Sequence, residues 1–221
     1  MDKLQFIERT VQDNSWAVFL FIGSFLLVAV AKSVFTKQFS DFLTLAYTDK
    51  YIKLYGGEND SLKWFSGLLI FIQLISYSFF IHIISAQLGF TDKNNFFSFL
   101  GIFTFVLFFI SLKFLLEKSI SFLFEIQEFY NRFLFQQATY RMYLGLFLLL
   151  GTFIFFYSKE PVIAITYILV VVFVLLNLIF HLISFRTFQK EIKANLFYFI
   201  LYLCTFEIAP YYFIYYWLTN H

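Results

Sequence analysis

The chain has 221 residues, of which 61% are hydrophobic and only 14% are charged, and 37 are Phe. A soluble domain is about a quarter charged and just under half apolar, so this composition excludes an ordinary soluble enzyme, a disordered chain and a disulfide scaffold. The net charge of +2 is too balanced to indicate a nucleic-acid partner, which leaves a membrane protein.

Six apolar runs are long enough to cross a membrane as helices, because about 20 residues span about 30 Å of hydrocarbon. In chain order the runs cover residues 16–34, 64–84, 97–116, 141–157, 161–185 and 195–217. The predicted fold class is therefore all-α, a polytopic membrane protein with six transmembrane helices. Residues 1–221 are predicted to form a single integral membrane domain.

Two amphipathic segments, 35–55 and 117–140, connect these runs. In both, apolar residues recur at helical spacing with charged residues between them, which predicts helices that lie in the cytoplasmic membrane interface. For the second segment the alternative is a docking surface for another protein. The candidate docking residues are Phe122, Ile126, Phe129, Asn131, Arg132 and Phe133.

The basic residues are distributed unevenly between the two sides that six crossings define. One side holds twelve Lys and Arg and the other holds four, namely Lys3, Arg9, Lys93 and Lys159. The positive-inside rule predicts that the side with twelve is cytoplasmic and that both termini face away from it. The three Trp residues stand at the ends of runs, as expected at a membrane–water interface, and they are Trp16, Trp64 and Trp217.

Glu207 is the most unusual polar residue, because it is predicted near the middle of the bilayer in the last run. Pro210 follows three positions later and is expected to kink the helix and free a backbone carbonyl beside Glu207. Gln73 lies at a similar predicted depth and is a candidate partner. One interpretation is a proton-exchanging carboxyl group in a small transporter or channel, and the other is a protonated Glu that hydrogen-bonds a neighbouring helix.

No catalytic, metal or cofactor motif stands out. His82 and His181 are predicted at opposite sides of the membrane, so with Cys204 and Glu207 they do not make a plausible metal set. We therefore expect no enzymatic activity, no metal and no cofactor, and no small-molecule substrate can be identified. Glycines are predicted to allow close approach of helices, and they are Gly23, Gly67, Gly101, Gly145 and Gly151.

Two short stretches carry a resemblance to a known family. Residues 201–210 read LYLCTFEIAP and residues 129–132 read FYNR. Together with the length and the multi-pass pattern, they resemble an uncharacterised family of small inner-membrane proteins of Bacteroidota, a domain of unknown function. The resemblance covers most of the chain and implies the bacterial inner membrane, but it carries no activity. In that membrane, the termini that the positive-inside rule places away from the cytoplasm are periplasmic.

Two functional hypotheses follow. The first is a non-enzymatic subunit that scaffolds or stabilises a larger inner-membrane complex, with other integral membrane proteins and lipid as partners. By analogy with the biology of the phylum, that complex is an envelope machine for secretion or gliding. The alternative is a small proton-linked transporter or channel that uses Glu207.

Overall fold

The structure, a computed structural model, describes residues 15–48, 50–56, 60–123, 127–158 and 163–189. Within these ranges every regular element is helical, which confirms the all-α prediction for this part of the chain. The elements in chain order are α1 Ser15–Val34, α2 Thr36–Leu43, a 3₁₀ turn Thr44–Ala46, α3 Lys50–Tyr55, α4 Asp60–Gln87, α5 Phe96–Leu123, α6 Gln127–Tyr157 and α7 Ile163–Thr187.

Five of these helices, α1, α4, α5, α6 and α7, are long and apolar enough to cross a membrane. They correspond to the first five predicted runs, so the chain is a polytopic membrane protein. The sixth predicted run, 195–217, lies outside the described residues, and six crossings therefore stay a prediction.

Helices α4 and α6 form the centre of the bundle. In their most apolar stretches 61% and 50% of the residues are buried, against 22%, 11% and 6% in α1, α5 and α7. Helix α4 contacts α1, α5 and α6, and α6 also contacts α7. The three other spanning helices are therefore peripheral to one central pair.

Two buried serines of α4 are satisfied within the helix itself. The hydroxyl groups of Ser76 and Ser78 donate to the backbone carbonyls of Ile72 and Leu74, one turn earlier, at 2.8 Å in both cases. A side-chain hydroxyl that bonds its own helix needs no partner from a neighbouring helix. This is why α4 can carry serines and still be buried at the centre of the bundle.

The spanning helices alternate in direction, and contacts between their ends show it. Trp16 Nε1, at the start of α1, donates to the carbonyl of Asn94 in the loop between α4 and α5 at 3.1 Å. Lys93 Nζ, in the same loop, donates to the carbonyl of Ser158 just after α6 at 3.3 Å. These contacts bring the ends of four helices together, and we call this the Trp16 end.

The opposite end of the bundle holds ten of the eleven Lys and Arg residues of the described ranges, and we call it the basic end. Lys93 is the exception. The uneven distribution of basic residues between the two sides, which the sequence predicted, is thus present across the five described spans. The ten residues are Lys32, Lys37, Lys50, Lys53, Lys63, Lys113, Lys118, Arg132, Arg141 and Arg186.

The first predicted interfacial segment, 35–55, consists of α2, the 3₁₀ turn and α3. Its apolar side chains Phe42 and Tyr51 are fully buried, and both rings contact the ring of Phe65 at the start of α4. The segment is helical over most of its length, with apolar side chains on its buried face. However, this face packs against the protein at the basic end, so the segment covers the end of the bundle.

The second predicted segment, 117–140, differs from the prediction because it is divided between two long helices. Helix α5 continues to Leu123, and α6 begins at Gln127, well before the predicted start at 141. No Pro interrupts either stretch. Of the apolar stripe in this segment, Phe133 is fully buried. The ring of Phe133 stacks on Phe185 of α7 with 6.2 Å between centroids, so the stripe faces protein there.

Candidate functional site

Gln73 lies at a close crossing of the two central helices. Its side chain is buried, and a Cβ atom added at Gly145 of α6 would lie 2.9 Å from the Cα, Cβ and Cγ atoms of Gln73. Only a glycine permits this distance, because no real Cβ tolerates contacts of this kind. The polar residue predicted for the middle of the membrane therefore packs directly on the backbone of α6.

Glu207 and Pro210, the other two members of the predicted intramembrane polar site, lie outside the described residues. The structure therefore does not address the pairing of Glu207 with Gln73. The close approach of Gln73 to Gly145 does not depend on Glu207.

The six candidate docking residues are placed in different environments. Ile126 lies outside the described residues, and Phe122 and Phe129 lie on α5 and α6 with side chains that the structure does not describe. Asn131 and Arg132 are exposed at the basic end. Phe133 is fully buried and contacts Phe185 and Phe188.

An aromatic cluster closes the Trp16 end of the bundle. The indole ring of Trp16 lies 5.1 to 6.1 Å, between centroids, from five rings on α4, α5 and α6. Phe79 is fully buried in the middle of the cluster and stacks on Phe21 of α1 at 4.2 Å. The position of Trp16 at a helix end was predicted, but its contacts are with protein. The five rings belong to Phe79, His82, Phe96, Phe99 and Phe156.

His82 and Lys93 hold the loop between α4 and α5 against this cluster. His82 Nε2 lies 3.0 Å from the carbonyl oxygen of Lys93. A carbonyl only accepts, so Nε2 carries the proton in this contact. The ammonium group of Lys93 lies 5.3 Å from the ring centre of Phe156, and burial lowers the pKa of Lys93. The loop is therefore fixed by polar contacts to the bundle.

The basic end contains a polar latch that the sequence did not indicate, formed by Asp41, Lys50 and Tyr55. Lys50 Nζ donates to Asp41 Oδ1 at 2.9 Å, and the Tyr55 hydroxyl donates to Asp41 Oδ2 at 3.1 Å. Asp41 lies on α2 and its two partners lie on α3. The latch therefore joins the two short helices that cover the bundle.

The electrostatics of the latch favour the ionised carboxylate. The hydrogen bond from Lys50 holds the pKa of Asp41 below its usual value, and the same contact raises the pKa of Lys50. Desolvation, followed by the bond to Asp41, raises the pKa of Tyr55. Neighbouring Tyr51 is buried more deeply, and burial raises the pKa of its hydroxyl well above the usual range. The pKa shifts of these groups thus follow from burial and from the contacts that join α2 to α3.

The most extensive exposed apolar surfaces are on α5 and α7. Helix α5 exposes large rings along its length, and α7 exposes mainly aliphatic side chains. In the ranges that the structure describes, no group of three or more His, Cys, Asp or Glu could hold a metal ion. The candidate functional surfaces are thus faces of helices. The most exposed Phe residues of α5 are Phe97, Phe105, Phe108 and Phe114.

Comparison with known proteins identifies the family. Residues 17–218 match the family described as "Domain of unknown function (DUF4271)", and the chain belongs to this family. No curated protein and no solved structure matches the chain.

Proposed function

We propose that this member of the DUF4271 family is a non-enzymatic integral membrane subunit that scaffolds or stabilises a larger inner-membrane complex. The observation that supports the proposal is the exposure of α5 and α7, whose most apolar stretches have only 11% and 6% of their residues buried. Each of these helices contacts the central pair along one side. Among the described residues the opposite sides are exposed, and there they can contact other membrane proteins and lipid.

The aromatic face of α5 favours a protein neighbour over lipid alone. Phe105 and Phe108 are about two-thirds exposed, at 61% and 65%. Large, rigid aromatic side chains supply much of the binding energy at protein interfaces, and they lose little conformational entropy on binding. The expected partners are therefore integral membrane proteins that pack against this face.

The proposed location is the bacterial inner membrane, with the basic end in the cytoplasm and both termini in the periplasm. The excess of ten basic residues at one end over a single one at the other supports this orientation. The resemblance to Bacteroidota proteins makes secretion and gliding machines the first complexes to test.

The transport alternative gains no support from Gln73. Its side chain packs against the backbone of α6 at Gly145, where a transport pathway would need space for water or a substrate. The scaffolding function is therefore the better supported of the two.

Site-specific photocrosslinking in native membranes tests the scaffolding proposal. A photoreactive phenylalanine analogue replaces Phe108 on the exposed face of α5 or Ile168 on the exposed face of α7. We expect at least one of the two positions to give a discrete cross-linked product with another membrane protein. That protein should also co-purify with the chain at a fixed ratio in mild detergent.

The matched control places the same analogue at Phe79, which is fully buried. This position should give only intramolecular products. If Phe108 and Ile168 react with lipid alone, and repeated mild extractions yield no stoichiometric partner, the scaffolding proposal is wrong.

A further inference from the structure

The outward face of α7 carries branched apolar residues at a regular spacing. From Ile165 to Leu182, such a residue recurs alternately after three and after four positions. All six residues of this line are exposed, at 48 to 61% of their area. We call the line the α7 seam, and it consists of Ile165, Ile168, Val172, Leu175, Ile179 and Leu182.

The opposite face of α7 packs on the bundle. The ring centre of Phe173 lies 5.1 Å from that of Phe80 and 5.5 Å from that of Tyr77, both on α4. Two turns further on, the ring of Phe180 stacks on Tyr140 of α6 with 4.6 Å between centroids. These contacts fix the rotation of α7 about its own axis, so the helix has one packed side and one open side.

The spacing along the α7 seam is that of a coiled coil. Alternating steps of three and four residues fill positions a and d of the heptad repeat, where each side chain inserts between four residues of a facing helix. The three a positions hold Ile165, Val172 and Ile179, which are all β-branched, and two of the three d positions hold Leu. In parallel coiled coils this combination favours two strands. β-branched side chains are also stiff, so they lose little freedom when they pack.

The two other peripheral helices do not carry such a line on their exposed faces within the described residues. Gly23 and Ser33 interrupt the exposed face of α1, and Gly101, Thr104 and Ser111 interrupt that of α5. A glycine has no side chain that could insert into a facing helix. A peripheral position in the bundle therefore does not by itself produce an uninterrupted seam of branched residues.

The α7 seam is long and large enough for a stable pair of helices. From Ile165 to Leu182 it extends about 25 Å, at 1.5 Å per residue, which is most of the hydrocarbon thickness of about 30 Å. With its exposed neighbours Val171 and Leu178 it offers roughly 600–800 Å² on one copy, close to the 800 Å² that each partner contributes to a standard interface.

The membrane also fixes how two copies can meet. Both copies insert in the same direction, because the same basic residues orient them. Their α7 helices are therefore parallel, and each seam residue lies at the same depth as its counterpart in the other copy. This is the geometry of a two-fold axis normal to the membrane, in which one surface meets itself.

We propose that α7 pairs with α7 of a second copy of this chain, as a parallel two-stranded coiled coil along the α7 seam. Close packing of the branched side chains stabilises the pair, since lipid is as apolar as these residues. The proposal goes beyond scaffolding, because it assigns α7 to a second copy and leaves the aromatic face of α5 to other proteins. If the pairing fails, the support that α5 gives to the scaffolding proposal is unaffected.

Disulfide cross-linking in native membranes tests the pairing, with single cysteines in a Cys204→Ser background and a membrane-permeable oxidant. Leu175→Cys places a thiol on the seam, and Val174→Cys is the matched control beside it, because the two side chains are 51% and 49% exposed. A disulfide needs two Cα atoms within about 7 Å of each other. Oxidation should therefore give about tenfold more disulfide-linked homodimer from Leu175→Cys than from Val174→Cys.

A second measurement follows the monomer–dimer equilibrium by single-molecule photobleaching in lipid vesicles at several protein-to-lipid ratios. The double substitution Leu175→Ala and Ile179→Ala should raise the Kd of the dimer about tenfold, because it removes packing contacts from the seam. Tyr167→Ala with Val174→Ala, which truncates exposed side chains away from the seam, should leave the Kd close to that of the wild type. An unchanged Tm at a dilution that gives monomers verifies that both variants fold.

Three outcomes would overturn the pairing. The first is an equal yield of homodimer from Leu175→Cys and Val174→Cys, which indicates random collision. The second is a wild-type protein that stays monomeric at every protein-to-lipid ratio. The third is a photoreactive analogue at Ile168 that reacts with residues 195–217 of its own chain, or with a different protein, in place of a second copy.

Discussion

At the scale of single residues, Gly145 shows why a glycine in a membrane helix must be judged by what lies opposite it. Five glycines were predicted to allow close approach of helices. A Cβ at Gly23, Gly67 or Gly101 would meet nothing within 4 Å, whereas at Gly145 it would lie 2.9 Å from Gln73. The local sequence around these glycines does not distinguish them, because the opposing backbone comes from a distant part of the chain.

Gly145→Ala should destabilise the protein by about 1–3 kcal/mol, because the added methyl group forces α4 and α6 apart. The free energy of unfolding in detergent or the Tm measures this loss. Gly151→Ala, on the same helix, is the matched control, since its Cβ would lie 3.7 Å from Leu169 Cδ1, an ordinary contact. Equal stability of the two variants would contradict the close crossing.

Asp41 gives a second prediction at this scale. Asp41→Asn removes the negative charge of the carboxylate that accepts hydrogen bonds from Lys50 and Tyr55. Amide hydrogen exchange in α2 and α3 should therefore become faster at neutral pH. Lys53→Gln, an exposed change on α3, should leave the exchange rate as it is. If Asp41→Asn leaves exchange unchanged, the latch does not hold the two helices together.

The latch should also respond to pH in a defined direction. The folded-state pKa of Asp41 lies below its unfolded value, so its contribution to stability is complete above that value. The contribution is lost as the pH falls below about 4, the ordinary pKa of Asp, toward the folded-state pKa. Intrinsic exchange also changes with pH, so the wild type is compared with Asp41→Asn at each pH. The difference between them should shrink below pH 4 and stay constant between about pH 6 and 8.

At the scale of helices, α5 and α6 differ most from their predicted bounds. The amphipathic stretch 117–140 indicated a helix on a surface. Phe133, on its apolar face, is instead buried against Phe185 and Phe188 of the same chain. Periodicity reports that a face is apolar, but the same face can pack on lipid, on a partner or on the protein itself.

Phe133→Ala distinguishes packing from docking. If the ring holds α6 against α7, its loss should reduce the free energy of unfolding by roughly 3–5 kcal/mol, the usual cost of removing a buried Phe. Asn131→Ala, an exposed neighbour, should change stability by less than about 0.5 kcal/mol. A stable Phe133→Ala variant that loses only a binding partner would instead support the docking interpretation.

At the scale of the whole molecule, nearly all basic residues of the described ranges lie at one end of the bundle, although the helices alternate in direction. The described helices alternate, and ten of eleven basic residues lie at one end. A membrane orients a chain of this kind by its basic connections, because cations are retained on the cytoplasmic side. The orientation therefore makes a prediction for intact cells.

Cysteine labelling measures the orientation. In a Cys204→Ser background, Asp92→Cys places a thiol in the exposed loop at the Trp16 end, and Lys53→Cys places one at the basic end. A maleimide that cannot cross the inner membrane should label Asp92→Cys in intact cells and Lys53→Cys only after lysis. The reverse pattern would contradict cytoplasmic placement of the basic end.

The sequence by itself determined the class of the protein, the approximate positions of five spanning helices and the sorting of charge between their ends. These properties depend on composition and on distance along the chain, because hydrocarbon thickness sets the length of an apolar run. Only the tertiary structure decided that Gly145 meets Gln73, that Asp41 binds Lys50 and that Phe133 is buried. Each of these contacts joins residues on different helices, which the sequence alone does not bring together. For the spanning helices, the physical reason is that lipid and protein interiors are equally apolar. Hydropathy therefore cannot tell which face of a membrane helix meets the bilayer and which meets its neighbour.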